Sequence, residues 1–234
     1  MSDIVFDLVD ALTKECRETQ KENIEQVASA MADSLMNNGI IQAFGAGHSN
    51  AGALELTHRA GGFIPTKNIK EPAGGAYESV EGVGTSFMKK VDVQENDLVF
   101  VISNSGRNPL PIEVALGAKS KGAKVVAVTS LAASKKLKSK HSCGKNLYEI
   151  ADFVLDNRIG DGDSMIPLAG IDTNVCGMST ITTSMLLQAV TYRAAEIMVE
   201  KGVVPPIYKS QNIDGGREYN ENLEKAYLHR LYRI

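Results

Sequence analysis

Apolar residues recur every three or four positions in the first part of the chain, over residues 5–16 and again over residues 24–35. This spacing puts the apolar side chains on one face of a helix and so predicts two helices. Their apolar faces must be buried on the rest of the chain or on a partner subunit. We interpret residues 1–38 as an N-terminal helical extension and residues 39–234 as a domain with a C-terminal helical tail.

Short apolar runs alternate with helix-like stretches through the rest of the chain. Strands are predicted at residues 40–44, 98–102, 124–129 and 152–155, with a further short strand at 63–65. Helices are predicted at residues 50–60, 79–90, 109–120 and 177–200, with a last one near 223–231. Strands that alternate with helices are typical of a parallel sheet with helices on both faces. Residues 66–78 predict no regular element.

Two polar loops stand out because each directly follows an apolar strand. The first is GAGHSN at residues 45–50, and the second is SNSGRN at residues 103–108, which Pro109 follows. In open parallel sheets, ligands bind beyond the carboxyl ends of the strands. We therefore expect the two loops to face one crevice.

The residue types in these loops indicate a site for an anionic cluster of oxygen atoms. Serine hydroxyls and asparagine amides donate hydrogen bonds, and Gly106 allows neighbouring backbone amides to converge on an anion. Pro109 suits the first turn of the next helix, whose N-terminus favours negative charge. Such donors, without a lysine, suit the phosphate of a sugar phosphate. Arg107 either assists the binding or faces solvent.

A dinucleotide fits the first loop less well. A dinucleotide-binding turn needs a third glycine where the chain has Asn50, and an acidic residue about 20 residues further on, which residues 63–66 do not supply. The Gly-Lys-Ser/Thr of a nucleotide P-loop is absent as well. Each loop alone also fits a plain strand-to-helix turn, and the combination of the two favours the phosphate site.

Composition narrows the choice of partners. The chain has 234 residues, a formal net charge of −3 and 23% charged residues. We expect neither nucleic acid nor an anionic membrane as a partner, because both require dense positive charge. Three cysteines without a close pair do not indicate a disulfide framework or a zinc knuckle. Neither a secretion signal nor an apolar run of about 18 residues occurs, and we expect a cytoplasmic protein.

The two loops together resemble the motifs of the SIS (sugar isomerase) domain family. GAGHS fits the GxGxS turn of that family and SNSGRN fits its SxSGxT loop. RAGG at residues 59–62 and PPIYKSQNIDGG at residues 205–216 fit the branch that is similar to phosphoheptose isomerases. The resemblance covers nearly the whole chain. It implies a flavodoxin-like, three-layer αβα sandwich with a five-stranded parallel sheet, which assembles as a homodimer or homotetramer.

The resemblance also carries functional residues over to this chain. Gly47 and Ser49 match the first phosphate-contacting turn, Ser103 and Ser105 match the second, and Asn108 stands where the family usually has threonine or serine. The full predicted substrate-binding set also includes neighbouring polar positions and the start of the C-terminal helix. This set is Gly47, Ser49, Asn50, Arg59, Ser103, Asn104, Ser105, Gly106, Asn108 and Ser179.

Catalysis by an aldose–ketose isomerase needs a base that takes a proton from carbon 2, and polar groups that stabilise the oxyanion. Glu55 lies six residues after Ser49, one to two turns into the predicted helix. It is either this base or a surface partner of Arg59, which is four residues away. His48, within the first loop, and Glu81 are the other acid–base candidates.

We therefore predict a phosphosugar-binding protein that isomerises a sugar phosphate by general acid–base chemistry. Two alternatives stay open. One is a non-catalytic phosphosugar sensor, and the other is a lyase similar to the N-acetylmuramic acid 6-phosphate etherase, which needs a glutamate near the position of Arg59. The resemblance also places Glu55 and Arg59 where phosphoheptose isomerases have a zinc-binding histidine and glutamate. Because that pattern is not reproduced, we expect no metal and no cofactor.

Overall fold

Five strands form a parallel sheet in the computed structural model, which describes residues 3–232. In chain order they are β1 (Ile41–Gly45), β2 (Thr66–Asn68), β3 (Leu98–Ile102), β4 (Lys124–Thr129) and β5 (Phe153–Asp156). Across the sheet the order is β2-β1-β3-β4-β5, with every pair parallel. The chain proceeds in opposite directions from β1 and from β3. The crevice at their carboxyl ends is therefore the switch point at which such sheets bind ligands.

Helices cover both faces of the sheet. They are α1 (Asp3–Thr19), α2 (Lys21–Met36), α3 (Asn50–Leu56), α4 (Val83–Met88), α5 (Pro109–Ser120), α6 (Leu131–Lys136), α7 (Leu147–Ile150), α8 (Ser179–Glu200), α9 (Gly216–Glu224) and α10 (Leu228–Leu231). Within residues 3–232, none of these helices combines the length and apolar character that crossing a bilayer requires.

The strands are apolar along their whole length because both faces of the sheet are buried. In β3, Leu98, Phe100 and Ile102 join a core with α2, α3 and α8. The alternate residues Val99 and Val101 join a second core with α4, α5 and α7 on the opposite face. The predicted parallel sheet with helices on both faces is thus confirmed, as is the five-stranded αβα sandwich.

Three predicted elements differ from the structure. The short strand predicted at residues 63–65 is wrong: β2 is three residues later, and Phe63 instead pairs with Ile207 in an isolated antiparallel bridge. The helix predicted to reach residue 60 ends at Leu56, because Thr57 is extended and His58 has a φ of 53°. An antiparallel hairpin of β6 (Ser164–Pro167) and β7 (Asn174–Gly177) was not predicted.

The N-terminal helices are present and pack differently from one another. Val27, Ala28 and Met31 of α2 are buried in the core that this helix shares with the sheet. Helix α1 packs against the hairpin and leaves Phe6 67% exposed. The division of the chain at residue 38 stays a prediction. Residues 1, 2, 233 and 234, at the ends of the two predicted units, lie outside the described residues.

A buried charge network closes the amino-terminal edge of the sheet. Asp97, which precedes β3, accepts hydrogen bonds from Ile40 N at 2.9 Å, Gln42 Nε2 at 2.8 Å and Arg230 Nη2 at 2.7 Å. Arg230 also donates from Nε to Asp92 at 3.1 Å. Asp97 and Arg230 are 2% and 4% exposed. The C-terminal tail is therefore fixed to the sheet through charges that water cannot reach.

Candidate functional site

The first polar loop connects β1 to α3 in a single tight turn. Residues Gly47–Ser49 form one turn of 3-10 helix, in which the N–H of Ser49 donates to the carbonyl of Ala46 at 3.1 Å. His48 is exposed and Ser49 is half-buried. Neither side chain has a hydrogen-bond partner among residues 3–232. Both are therefore available to a ligand.

The second loop connects β3 to α5 and is held from within by a serine. The N–H of Gly106 donates to Ser103 Oγ at 3.3 Å, and Ser103 is 4% exposed. Gly106 has a φ of 62°, and a Cβ here would lie 3.0 Å from Ser134 Oγ, so that only glycine fits without strain. The carbonyl of Gly106 accepts from Leu147 N at 2.8 Å. These contacts fix the loop to the neighbouring helices.

Several donors of the second loop stay unbonded. Within the described part of the chain, the backbone N–H groups of Asn104, Ser105, Arg107 and Asn108 have no acceptor. The hydroxyl of Ser105 has no partner there either. A run of converging backbone donors is what an anion requires.

A cleft of about 230 Å³ lies between the two loops and the start of α8. The first loop contributes His48 and Ser49, the second contributes Asn104, and α8 contributes Ser179 and Thr180. Hydroxyls and amides thus line a cleft at the switch point of the sheet. The structure brings together the two loops that the sequence selected.

The cleft also includes residues that were not predicted as part of the site. Asn157 is 1% exposed and donates from Nδ2 to Asn104 Oδ1 at 3.0 Å. Thr183 lies one turn after Ser179 on α8. Asn157 directly follows β5, so its place at the carboxyl end of a strand was the signal available in the sequence.

Two further predicted binding residues support the cleft through their own contacts. Asn50 accepts at Oδ1 from Asn68 Nδ2 at 3.1 Å, which joins the start of α3 to the end of β2. The N–H of Ser179 donates to Asp163 Oδ1 at 2.8 Å. Ser179 lines the cleft, whereas Asn50 does not.

Residues 71–82, which we call the strap, run across both loops. The carboxylate of Glu71 accepts from Ala73 N and Gly75 N at 2.8 Å each, which fixes the first turn of the strap. Gly75 has a φ of 91°, and a Cβ on it would lie 2.7 Å from Gly47 N, so the strap backbone touches the first loop. Further along, Glu78 accepts at Oε1 from Asn108 Nδ2 at 3.0 Å in the second loop.

The start of α5 offers fewer amide donors than the sequence suggested. Pro109 and Pro111 have no N–H, and the N–H of Leu110 donates to the carbonyl of Glu78 at 3.1 Å. Two buried side-chain atoms beside it, Arg107 Nε and Asn108 Oδ1, have no partner among the described residues. Buried polar atoms without partners are rare and call for an explanation such as a missing ligand.

Glu55 and Arg59 form an ion pair with each other, as one of the two interpretations expected. Glu55 also accepts at Oε1 from Gln188 Nε2 of α8 at 2.6 Å. Neither Glu55 nor Arg59 is among the residues that line the cleft. Glu55 lies one turn of α3 beyond Gly52, which does line it. The catalytic and binding roles of these two residues stay predictions.

Glu81 lies at the end of the strap, next to a second cluster of titratable groups. It accepts hydrogen bonds from the side chain and the backbone of Ser142, and these bonds lower the pKa of Glu81. His141 Nε2 lies 3.6 Å from Glu81 Oε1 and 3.5 Å from Glu113 Oε1. The buried Glu113 in turn accepts from Thr85 N at 2.9 Å. Glu81 does not line the cleft, and its acid–base role stays a prediction.

The residues near the cleft do not fit a metal ion. At the positions that match zinc ligands of phosphoheptose isomerases, Arg59 is a cation and Glu55 is already bound to it. Within residues 3–232, no three histidine, cysteine or acidic side chains are arranged to hold a metal.

The fold and the cleft define a doubly wound α/β protein with two polar loops at the switch point of its sheet. A family model described as SIS domain matches residues 6–130. A UPF0309 protein of Listeria monocytogenes is 51% identical over 229 residues, which cover 98% of both chains. A UPF0309 protein of Geobacillus thermodenitrificans is 38% identical over 240 residues, or 99% of this chain and 96% of that one. The chain belongs to the SIS domain family.

Solved structures share the fold at low sequence identity. A phosphoheptose isomerase from Neisseria gonorrhoeae has a TM-score of 0.56 and 18% identity, covering 83% of this chain and 97% of the other. A phosphoheptose isomerase from Francisella tularensis has a TM-score of 0.58 and 16% identity, covering 83% and 96%. The arrangement of sheet and helices is therefore common to this chain and these enzymes.

Proposed function

We propose that the cleft binds the phosphate group of a sugar phosphate, and that the chain isomerises the bound sugar between its aldose and ketose forms. One observation carries the binding part. The two polar loops meet at the switch point, and their hydroxyl and amide donors have no partners among the described residues. Membership of the SIS family and the fold shared with two phosphoheptose isomerases support the class of ligand.

Charge near the second loop also supports an anionic ligand. In the described part of the chain, Arg107 forms no ion pair, although it lies in the middle of the loop. Its guanidinium is always charged and suits bidentate binding of phosphate oxygens. A dianion bound by this cation together with the loop amides would have its charge compensated without a metal.

The isomerisation that we propose needs only proton transfers. A base removes the proton from carbon 2, and the resulting enediol receives a proton at carbon 1, while a proton moves between the oxygens on these two carbons. Glu55, His48 and Glu81 are the candidates for these transfers. Glu55 is separated from the cleft by one helical turn, and His48 lines the cleft itself.

Binding without turnover is the second candidate function. Glu55 is occupied by Arg59 and Gln188, so it must exchange a partner before it can act as a base. A protein that reads the concentration of a phosphosugar requires the binding loops and no base. Of the two candidates, only the isomerase requires proton exchange at carbon 2.

We further propose that the chain forms a homodimer or homotetramer. Phe6 of α1 and Tyr192 of α8 are 67% and 69% exposed. A groove that includes Ile24, Met185 and Ala189 runs between α1, α2 and α8. Light scattering at several concentrations tests this proposal, and a constant monomer mass would contradict it.

Calorimetry against hexose, heptose, pentose and amino-sugar phosphates tests the binding proposal. The matching unphosphorylated sugars serve as controls and are expected not to bind. For turnover, the bound sugar phosphate is incubated in deuterated water, and incorporation of deuterium at carbon 2 is followed by NMR. Glu55→Gln should abolish this incorporation and spare binding. Binding by the wild type without any exchange would favour the sensor.

A further inference from the structure

The strap brings a second carboxylate to the phosphate loop that the sequence had not selected. Glu78 is half-buried, and its Oε1 accepts from Asn108 Nδ2 at 3.0 Å. No lysine, arginine or histidine in residues 3–232 forms an ion pair with it. An unneutralised carboxylate beside a loop that suits anions is unfavourable unless it has a task of its own.

The charge of Glu78 divides the space around the second loop. A phosphate close to Glu78 would be repelled by it, and the start of α5 has no free amide there because of its two prolines and the bonded N–H of Leu110. The phosphate therefore binds towards Ser49 and Ser105, where donors are free. The end of the loop near Glu78 is left to the uncharged part of the ligand.

That end of the loop offers acceptors rather than donors. Oε2 of Glu78 has no hydrogen-bond donor in the described part of the chain. Asn108 Oδ1 is buried without a partner, because the amide turns its Nδ2 towards Glu78. Two acceptors that lack donors fit the hydroxyl or amino groups of a sugar.

We propose that Glu78 is a specificity-determining residue, which accepts a hydrogen bond from a hydroxyl or amino group of the sugar and disfavours a bare phosphate ion. This inference rests on the proposed function, because it requires a sugar phosphate in the cleft. It adds that the cleft distinguishes the sugar ester from the inorganic anion that shares its phosphate group. A purely structural role would instead make Glu78 an anchor for the strap.

The anchoring role and the binding role can be separated because they use different atoms. The strap is tied to α5 through the carbonyl of Glu78, which accepts from Leu110 N, and this bond survives a change of side chain. Glu78→Gln keeps an acceptor for Asn108 but removes the charge, and Glu78→Ala removes both. Thermal melting verifies that both variants are folded.

The test is calorimetry with two probes, inorganic phosphate and the sugar phosphate that binds the wild type best. Glu78→Ala is expected to weaken binding of the sugar phosphate about 10- to 100-fold, since a charged hydrogen bond is lost. The same variant should bind inorganic phosphate about two- to tenfold more tightly, since repulsion is removed. Glu78→Gln should show the gain for inorganic phosphate and a smaller loss for the sugar ester.

Glu95→Gln is the matched control, because it removes one negative charge from an exposed residue at the opposite edge of the sheet. It should change neither affinity. If Glu78→Ala changes both affinities in the same direction, or neither, Glu78 does not select the ligand and the inference is overturned. If the wild type binds no sugar phosphate at all, the proposed function fails first and the inference fails with it.

Discussion

The two edges of the sheet treat their polar groups in opposite ways. At the amino-terminal edge, Asp97 receives donors from the backbone, from Gln42 and from Arg230, and the whole group is buried. At the carboxyl-terminal edge, the loops after β1 and β3 keep hydroxyls and amides without partners. The first arrangement contributes to stability by satisfying charges inside the protein. The second leaves donors unsatisfied, which is useful only if a ligand completes them.

The largest effect is expected at the closed edge, from Arg230→Met. Removing the guanidinium leaves the buried carboxylate of Asp97 without its cation, and such losses cost about 3–5 kcal/mol in the free energy of unfolding. Urea unfolding measures this change. Arg217, an exposed residue paired with Glu221, is the matched control, and Arg217→Met should leave the unfolding midpoint unchanged. An equal midpoint for the two variants would contradict the account of the closed edge.

The same network gives a pH dependence. Burial acts to raise the pKa of Asp92, but hydrogen bonds from Gln94 and Arg230 outweigh it and hold the pKa below the ordinary value of 3.8. A lowered carboxyl pKa contributes stability that is complete above the unfolded-state value and is lost as the pH falls through the folded-state value. The stability difference between wild type and Arg230→Met should therefore shrink in acid, below about pH 4.

The next effect concerns the strap at the open edge. Gly74 and Gly75 both have positive φ angles, of 62° and 91°, so alanine is strained at either position. A Cβ at Gly74 meets nothing within 4 Å, whereas one at Gly75 lies 2.7 Å from Gly47 N. Gly74→Ala should cost about 1–2 kcal/mol in stability and spare binding. Gly75→Ala should cost about 2–4 kcal/mod in total and also weaken sugar-phosphate binding, because it displaces the first loop.

Denaturant unfolding and calorimetry on these two neighbours separate strain from contact. Equal losses in both measurements would mean that the strap does not press on the first loop.

A smaller effect distinguishes the two serines of the second loop. Ser105→Ala removes a hydroxyl that has no partner in the described protein, so it should weaken sugar-phosphate binding by about 1–3 kcal/mol and leave stability unchanged. Ser103→Ala should also lower the free energy of unfolding, because the N–H of Gly106 loses its acceptor. Unaltered affinity in both variants would remove the phosphate site from this loop.

The smallest effect is expected from chelation. Because Arg59 occupies a position that matches a zinc ligand, treatment with EDTA should change neither ligand affinity nor any turnover. Calorimetry and the deuterium-exchange measurement before and after treatment test this. A loss that zinc restores would contradict the metal-free site.

The closed cores of the sheet could be predicted from the sequence, whereas the strap and the second strand could not. Residues 98–102 and 124–129 are continuous apolar runs with polar or glycine boundaries, and both strands have the predicted bounds. Phe63 looks equally suited to a strand, but its partner Ile207 is 144 residues away and nothing local indicates the pairing. The strap has no periodicity, because the carboxylates of Glu71 and Glu78 fix it rather than a buried face.

The site divides in the same way. The loops were predictable, since hydroxyls and glycines directly after an apolar strand have a local meaning. Asn157 and Thr183 enter the cleft only because β5 and α8 are placed there by tertiary packing. Glu55 had the right distance along the chain from Ser49, but its partners Arg59 and Gln188 depend on the direction in which α3 faces α8.

The position of Arg230 has a consequence for the order in which the chain matures during synthesis. Asp97 is 133 residues earlier, so the ribosome completes every strand of the parallel sheet before the guanidinium that neutralises this carboxylate exists. A nascent chain stalled between residues 156 and 230 would hold the strands with an open, charged lower rim. Release of synthesis past residue 230 is then the event that locks the domain.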